Sequence, residues 1–122
     1  MRLDVIIPTY NRHEMLARTL RSLLVAEVPR GLEARVTVVD NNSKDRTRGV
    51  VEEWAAKFGG RLGYVFETKQ GRSPAINAGV RATDGDLVGF IDDDEEVDSR
   101  WFVCAFEAFR GGGVDFIGGP CV

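Results

Sequence analysis

The sequence predicts an α/β chain, a largely parallel sheet with helices on both faces. Three observations carry that prediction. Short β-branched runs alternate with stretches of helical apolar spacing, in the order strand, helix, strand, helix, strand, helix, strand, helix, strand. Proline, glycine or a helix-capping residue marks the changes from one to the next. The polar residues with chemical potential fall just after strands. Alternation of this kind implies a parallel sheet covered on both sides. In such sheets, ligands bind at the carboxyl ends of the strands.

Leu3-Asp4-Val5-Ile6-Ile7 is the first strand, stopped by Pro8. Asn11 followed by Glu14 has the spacing of a helix N-cap and its reciprocal acceptor. Leu16, Leu20, Leu23 and Leu24 then make one apolar helical face. Val36 to Val39 is the second strand, ending at Asp40. Ser43 or Asp45 caps the next helix, with Val50, Trp54, Ala55 and Phe58 as its face and Gly59-Gly60 as its stop. Leu62 to Phe66 is the third strand. Ser73-Pro74 fits an N-cap with proline at the first helical position, opening a helix to Ala82. Leu87 to Ile91 is the fourth strand and runs into Asp92-Asp93-Asp94. Ser99 caps a last helix whose face is Trp101, Phe102, Ala105, Phe106 and Phe109. Gly111-Gly112-Gly113 ends it, and Val114 to Ile117 is the fifth strand.

The chain has 122 residues, 43% of them hydrophobic and 29% charged, which suits one soluble globular domain. Sixteen basic residues against 19 acidic ones give a net charge of -3, so a non-specific nucleic-acid binder is excluded. No apolar run approaches the ~18 residues of a membrane span, and Asp4 and Pro8 break the only apolar run near the start. Cys104 and Cys121 form neither a disulfide framework nor a zinc spacing, so the expectation is a reduced, cytoplasmic protein.

The acids are unevenly placed. Residues 84 to 98 hold 8 of the 19, with no Lys or Arg between Arg81 and Arg100. Such a block is either a solvated loop or a cation site. Two like charges ~4 Å apart repel by about 1 kcal/mol in water but ~4 kcal/mol at an effective dielectric of 20. Crowded carboxylates at the mouth of a strand therefore call for compensation. Asp92 and Asp94 offer oxygen ligands suited to Mg²⁺ or Mn²⁺, against the plainer alternative of an exposed acidic loop. An EF-hand starting at Asp92 is excluded, because Val97 and Val103 stand where Gly and Glu are required. No P-loop or dinucleotide glycine motif is present. His13, the only histidine, reads as a surface residue in the first turn of a helix.

The other signals are individually two-sided. Asp40 either makes an Asx-turn or accepts hydrogen bonds from a base or ribose. Tyr10 either stacks on a base or packs over the strand end. Lys69 and Arg72, flanking Gly71, either meet a diphosphate or form an ordinary basic loop.

Taken together, the blocks Val5 to Arg12, Val38 to Asp45, Gly71 to Gly79, and Asp84-Gly85-Asp86 leading into Phe90-Ile91-Asp92-Asp93-Asp94 resemble glycosyltransferase family 2, over essentially the whole chain. The resemblance implies the GT-A fold, Rossmann-like in its nucleotide-binding half. It implies that residues 1–122 are the nucleotide-sugar-binding part, truncated before the acceptor-binding half. A nucleotide-sugar donor, a UDP-sugar first, and Mg²⁺ or Mn²⁺ follow from it, with the acceptor unknown. Asp92-Asp93-Asp94 matches the family's D-x-D motif. Asp94 would ligate the metal bridging the diphosphate, while Asp92 would contact ribose or a metal-bound water; Asp92 and Asp93 count among the donor-binding residues. Pro8, Thr9 and Tyr10 match the segment lining the base pocket. Asp40 matches the carboxylate that reads a base N–H, with Asn42 beside it, and Arg72 matches a basic position near the nucleotide. Ile76 stands where other members carry Arg. Gly118-Gly119-Pro120 looks like the family's turn into the acceptor region. The resemblance therefore implies an inverting transferase whose general base lies beyond Val122. The alternative is a non-catalytic module that associates with itself or another chain through an exposed sheet edge. A phospho-receiver reading fails, because Gly118-Gly119 stands where a Lys is needed after the last strand.

Overall fold

The computed structural model describes residues 2–83, 85, 87–110 and 116–118. Strands β1 (Arg2–Thr9), β2 (Glu33–Asp40), β3 (Leu62–Phe66), β4 (Leu87–Phe90) and β5 (Phe116–Gly118) alternate with helices α1 (His13–Val25), α2 (Thr47–Lys57), α3 (Arg72–Arg81) and α4 (Trp101–Arg110). The strands are all parallel and lie in the order β3-β2-β1-β4-β5. The α/β expectation holds.

Side-chain alternation divides the core between the two faces. Leu3, Val5 and Ile7 of β1 and Val36 and Val38 of β2 pack with Leu16, Leu20 and Leu23 of α1, Val51 of α2, and Trp101, Phe102 and Ala105 of α4. Each fully buried Leu or Ile of this kind contributes about 1.5–3 kcal/mol. Ile6 and Val39 point the other way, onto Ala75 and Ala78 of α3. Three helices thus cover one face, and α3 covers the other. The close fit of α3 needs Gly79, where an added Cβ would sit 2.6 Å from Ile6 Cγ2 and 3.0 Å from Val39 Cγ2.

Several local expectations are corrected. Pro8 does not stop the first strand, which runs on to Thr9. Ile6 O accepts from Ile91 N on the β4 side, and Thr9 O accepts from Asn41 N on the β2 side. By alternation Pro8 faces the β4 side, where pairing ends at Ile6↔Phe90, so its missing N–H breaks no ladder bond. Asn11 does not cap α1. It sits at φ 50° and ties the β1–α1 loop to the β2–α2 loop, its Oδ1 accepting from Lys44 N at 2.7 Å and its own N–H donating to Ser43 Oγ at 2.9 Å. Val51 rather than Val50 is the buried valine of α2. The N-cap of α2 is Arg46, neither Ser43 nor Asp45, although Asp45 just before it accepts from Thr47 N at 3.0 Å. Helix α3 begins at Arg72 behind Gly71, whose φ of 123° admits little but glycine, and not at Ser73-Pro74.

Cys104 on α4 is disulfide-bonded, against the expectation of reduced thiols. That expectation rested on the number and sequence spacing of the cysteines. Cys121, Asp84, Asp86, Gly111 to Val114, Gly119 and Pro120 lie outside the described residues. No helix among those described is long and apolar enough to cross a membrane.

Candidate functional site at the carboxyl ends of the strands

A cleft of about 320 Å³ opens at the carboxyl end of β1, lined by Pro8, Thr9, Tyr10, Arg12, Asn41, Gln70, Gly71, Arg72, Ala75 and Asp93. Its floor is the end of β1, its near wall is the β3–α3 loop with the start of α3, and Asp93 enters from the loop after β4. Three loops meet because β2, β1 and β4 are neighbours and all end on this side.

The acidic triplet is split into two roles by its surroundings. Asp93 is only 6% exposed. Its Oδ2 accepts from Thr9 Oγ1 at 2.8 Å, and its Oδ1 lies 3.3 Å from Arg12 Nη1. Helix α1 fixes the backbone of this loop through two hydroxyls one turn apart. Thr19 Oγ1 donates to Asp93 O at 3.0 Å, and Ser22 Oγ accepts from Val97 N at 3.0 Å. Asp92 and Asp94 instead stand out from the loop, with side chains 47% and 49% exposed. Each holds an oxygen toward an arginine of the cleft wall: Asp92 on Arg72 at 3.2 Å, and Asp94 on Arg12 at 3.6 Å. Burial, with the charges of Asp92 and Asp94 adding to it, pushes the neighbouring Glu95 carboxyl above its ordinary value.

Asp40 and Asn42 are not brought to the cleft. Alternation turns the Asp40 side chain toward the face covered by α1 and α2, where it is 2% exposed. Its Oδ1 accepts from Ser43 N at 2.9 Å and its Oδ2 from the Tyr64 hydroxyl at 2.6 Å. Burial first, and then the bond to Asp40, raise the Tyr64 phenol above its usual range. Asn42 sits at φ 69° with its Oδ1 3.3 Å from Lys44 Nζ. Asn41, the residue between them, faces the cleft. Its Nδ2 donates to Glu67 O at 3.3 Å and to Lys69 O at 2.6 Å, and its Oδ1 accepts from Gly71 N at 2.9 Å. Gln70 Nε2 returns a bond to Asn41 O at 2.7 Å. Arg12, Gln70, Thr19 and Ser22 were not singled out by sequence reasoning. The only signal was polar residues at a strand end and on an otherwise apolar helix face.

Among the described residues, no group of three or more His, Cys, Asp or Glu side chains is gathered to enclose a metal. Asp92 and Asp94 nonetheless suit Mg²⁺ or Mn²⁺ by their chemistry. Such ions are commonly held by one or two carboxylates and complete their shell with water and substrate phosphates. The two carboxylates flank a cleft that also presents two guanidinium groups, a pairing suited to an anionic ligand that brings a cation with it.

The family pattern described as "Glycosyl transferase family 2" matches residues 4–122. This chain belongs to glycosyltransferase family 2. The succinoglycan biosynthesis protein ExoM of Rhizobium meliloti is 34% identical over 120 residues, which cover 98% of this chain and 38% of ExoM. The crystal structure of S. aureus TarS residues 1–349 in complex with UDP-GlcNAc superposes with a TM-score of 0.76 at 28% identity, covering 91% of this chain and 32% of that 1–349 chain. The mannosyltransferase PcManGT from Pyrobaculum calidifontis, solved with GDP-Man and Mn²⁺, superposes with a TM-score of 0.69 at 33% identity, covering 75% of this chain and 27% of that one. The parallel sheet and its helices are those of the GT-A fold. The chain spans 38% of the length of ExoM, and no larger share of AglE of Haloferax volcanii, at 38%.

Proposed function

We propose that this family 2 chain binds the nucleoside-diphosphate part of a sugar donor and presents the glycosyl group for transfer, with inversion, to an acceptor hydroxyl. The observation that carries the reading is the cleft between β1 and α3, with a tyrosine at its mouth, arginines on two walls and two exposed carboxylates at its rim. Tyr10, 46% exposed, offers a ring face for a base, with Pro8 and Thr9 beneath it. Arg72 opens α3 at the cleft wall, where a guanidinium and a helix N-terminus both favour a phosphate. Asp93, buried and held by Thr9, keeps the loop after β4 in place, so that Asp92 and Asp94 project beside the diphosphate position. Those two would hold Mg²⁺ or Mn²⁺, which when bound supplies Lewis-acid neutralisation of the departing nucleotide. With both oxygens of Asp40 taken by Ser43 and Tyr64, base recognition falls to the Pro8-Thr9-Tyr10 segment. Support also comes from relatives solved with UDP-GlcNAc and with GDP-Man and Mn²⁺.

Calorimetry of the 122-residue chain with UDP, GDP and dTDP, each with Mn²⁺ or with EDTA, tests this. The expected result is nucleoside-diphosphate binding that Mn²⁺ strengthens, tightest for UDP, with the strengthening lost in Asp94→Ala. Absence of binding to all three nucleotides with Mn²⁺ present overturns it.

A further inference from the structure

We infer that Arg12 is a positioning residue that occupies the acidic rim as a stand-in cation and exchanges partners when the cleft fills. The inference rests on the donor-binding reading above. Arg12 leaves the loop before α1 and reaches both Asp93 Oδ1, at 3.3 Å, and Asp94 Oδ2, at 3.6 Å. The two contacts differ in kind. Asp93 is buried and is also held by Thr9, so it stays where it is. Asp94 is half exposed, and so is the Arg12 side chain at 53%. Exposed pairs of this sort are held by well under a factor of ten in affinity, so a competing cation breaks the Arg12–Asp94 contact easily.

Arg12 also lines the cleft itself. A guanidinium released from Asp94 is therefore already beside the space a diphosphate would fill, still tethered through Asp93. Arg72 repeats the arrangement on the opposite wall, paired to Asp92 and lining the same cleft. The two arginines balance the charge of the rim carboxylates. When both ligands arrive, the carboxylates turn to the divalent cation and the arginines to the phosphate oxygens. Each ligand thereby frees the groups that the other needs, which couples their binding.

This predicts opposite effects on the two ligands when each is measured alone. Arg12→Gln keeps an amide donor for Asp93 but removes the charge facing Asp94. In the full chain without nucleotide, its affinity for Mn²⁺, followed by the electron paramagnetic resonance signal of free Mn²⁺, rises about two- to fivefold. In EDTA, its affinity for UDP falls. Arg12→Lys keeps the charge and stays near wild type in both measurements. Arg72→Gln, which frees the separate carboxylate of Asp92, shows the same pair of opposite changes and serves as the second variant should Arg12→Gln fail to fold. Mn²⁺ binding that is unchanged or weaker in the glutamine variants overturns the inference, as does a loss of both ligands together. Wild-type chain that binds UDP with Mn²⁺ while the variants leave Mn²⁺ affinity unmoved separates this failure from a failure of the donor-binding reading.

Discussion

Asn41 Oδ1 accepts the N–H of Gly71 at 2.9 Å, across 30 positions of sequence, and this bond sets the entry of α3 into the cleft wall. The same side chain donates to the carbonyls of Glu67 and Lys69, so one amide satisfies three backbone groups of the β3–α3 loop. A loop of this kind has no sheet or helix to take its polar groups, and a buried unsatisfied one costs about 1–3 kcal/mol. Asn41→Ala should lower stability to urea by about 3 kcal/mol, roughly one per lost bond. Asn41→Asp should not rescue it, because a carboxylate would face the carbonyls of Glu67 and Lys69. An alanine variant as stable as the parent chain would remove Asn41 from this role.

The acidic triplet should separate under mutation into a fold-holding member and two ligand-facing ones. Asp93 is buried against Thr9 and Arg12, so Asp93→Ala should cost about 1–3 kcal/mol of stability, less than a fully buried pair because Arg12 is half exposed. Asp92→Ala and Asp94→Ala remove exposed pairs and should change stability by less than about 1 kcal/mol. Those two should instead abolish the Mn²⁺-dependent part of nucleotide binding. Urea titration and calorimetry on the same three variants check both halves.

The sheet was legible in the sequence because its signals are local. The β-branched runs at Val36 to Val39 and Leu62 to Phe66, and the leucine stripe of α1, each state their structure within a few residues. The triplet stood out as well, as three consecutive carboxylates directly after a strand. What stayed hidden was decided by groups distant in sequence. Pro8 reads as a stop until β4 is seen to end before reaching it. Asn11 reads as a cap until Ser43 and Lys44 are beside it. Asp40 turns away from the cleft and Asn41 faces it, because a single step along β2 reverses the face a side chain meets. Arg12 carries no local mark at all, and only the geometry joins it to Asp93 and Asp94.

Gly79 should resist even the smallest enlargement. Replacing glycine by alanine inside an exposed helix ordinarily gains about 1 kcal/mol. Here the added Cβ meets Ile6 Cγ2 at 2.6 Å and Val39 Cγ2 at 3.0 Å, on two neighbouring strands of the sheet. Overpacking of a well-filled core costs about 1–3 kcal/mol, so the net sign should be destabilising. Because α3 would have to lift off β1 and β2, the wall carrying Arg72 moves with it. Gly79→Ala should therefore weaken nucleotide binding as well as lower the melting temperature. A variant that melts higher than the parent would show that α3 has slack the structure does not reveal.

The hydrogen bond from Tyr64 to Asp40 should leave a signature at high pH. Burial first, then the bond to Asp40 and the charge of that carboxylate, hold the folded phenol's pKa above its ordinary value of about 10. The sign follows from which state releases the proton. Below about pH 10 both folded and unfolded phenols are protonated, and the contribution to stability is complete. Above it the unfolded chain loses the proton while the folded chain keeps it, so unfolding gains and stability falls until the folded value is passed. Tyr64→Phe should be less stable near neutrality by about 0.5–1.5 kcal/mol for the lost bond. It should also lose less stability than the parent as pH is raised from about 9 to 11. Urea midpoints for the two proteins over that range should therefore converge; midpoints that fall in parallel would mean that the Tyr64 phenol ionises alike in both states.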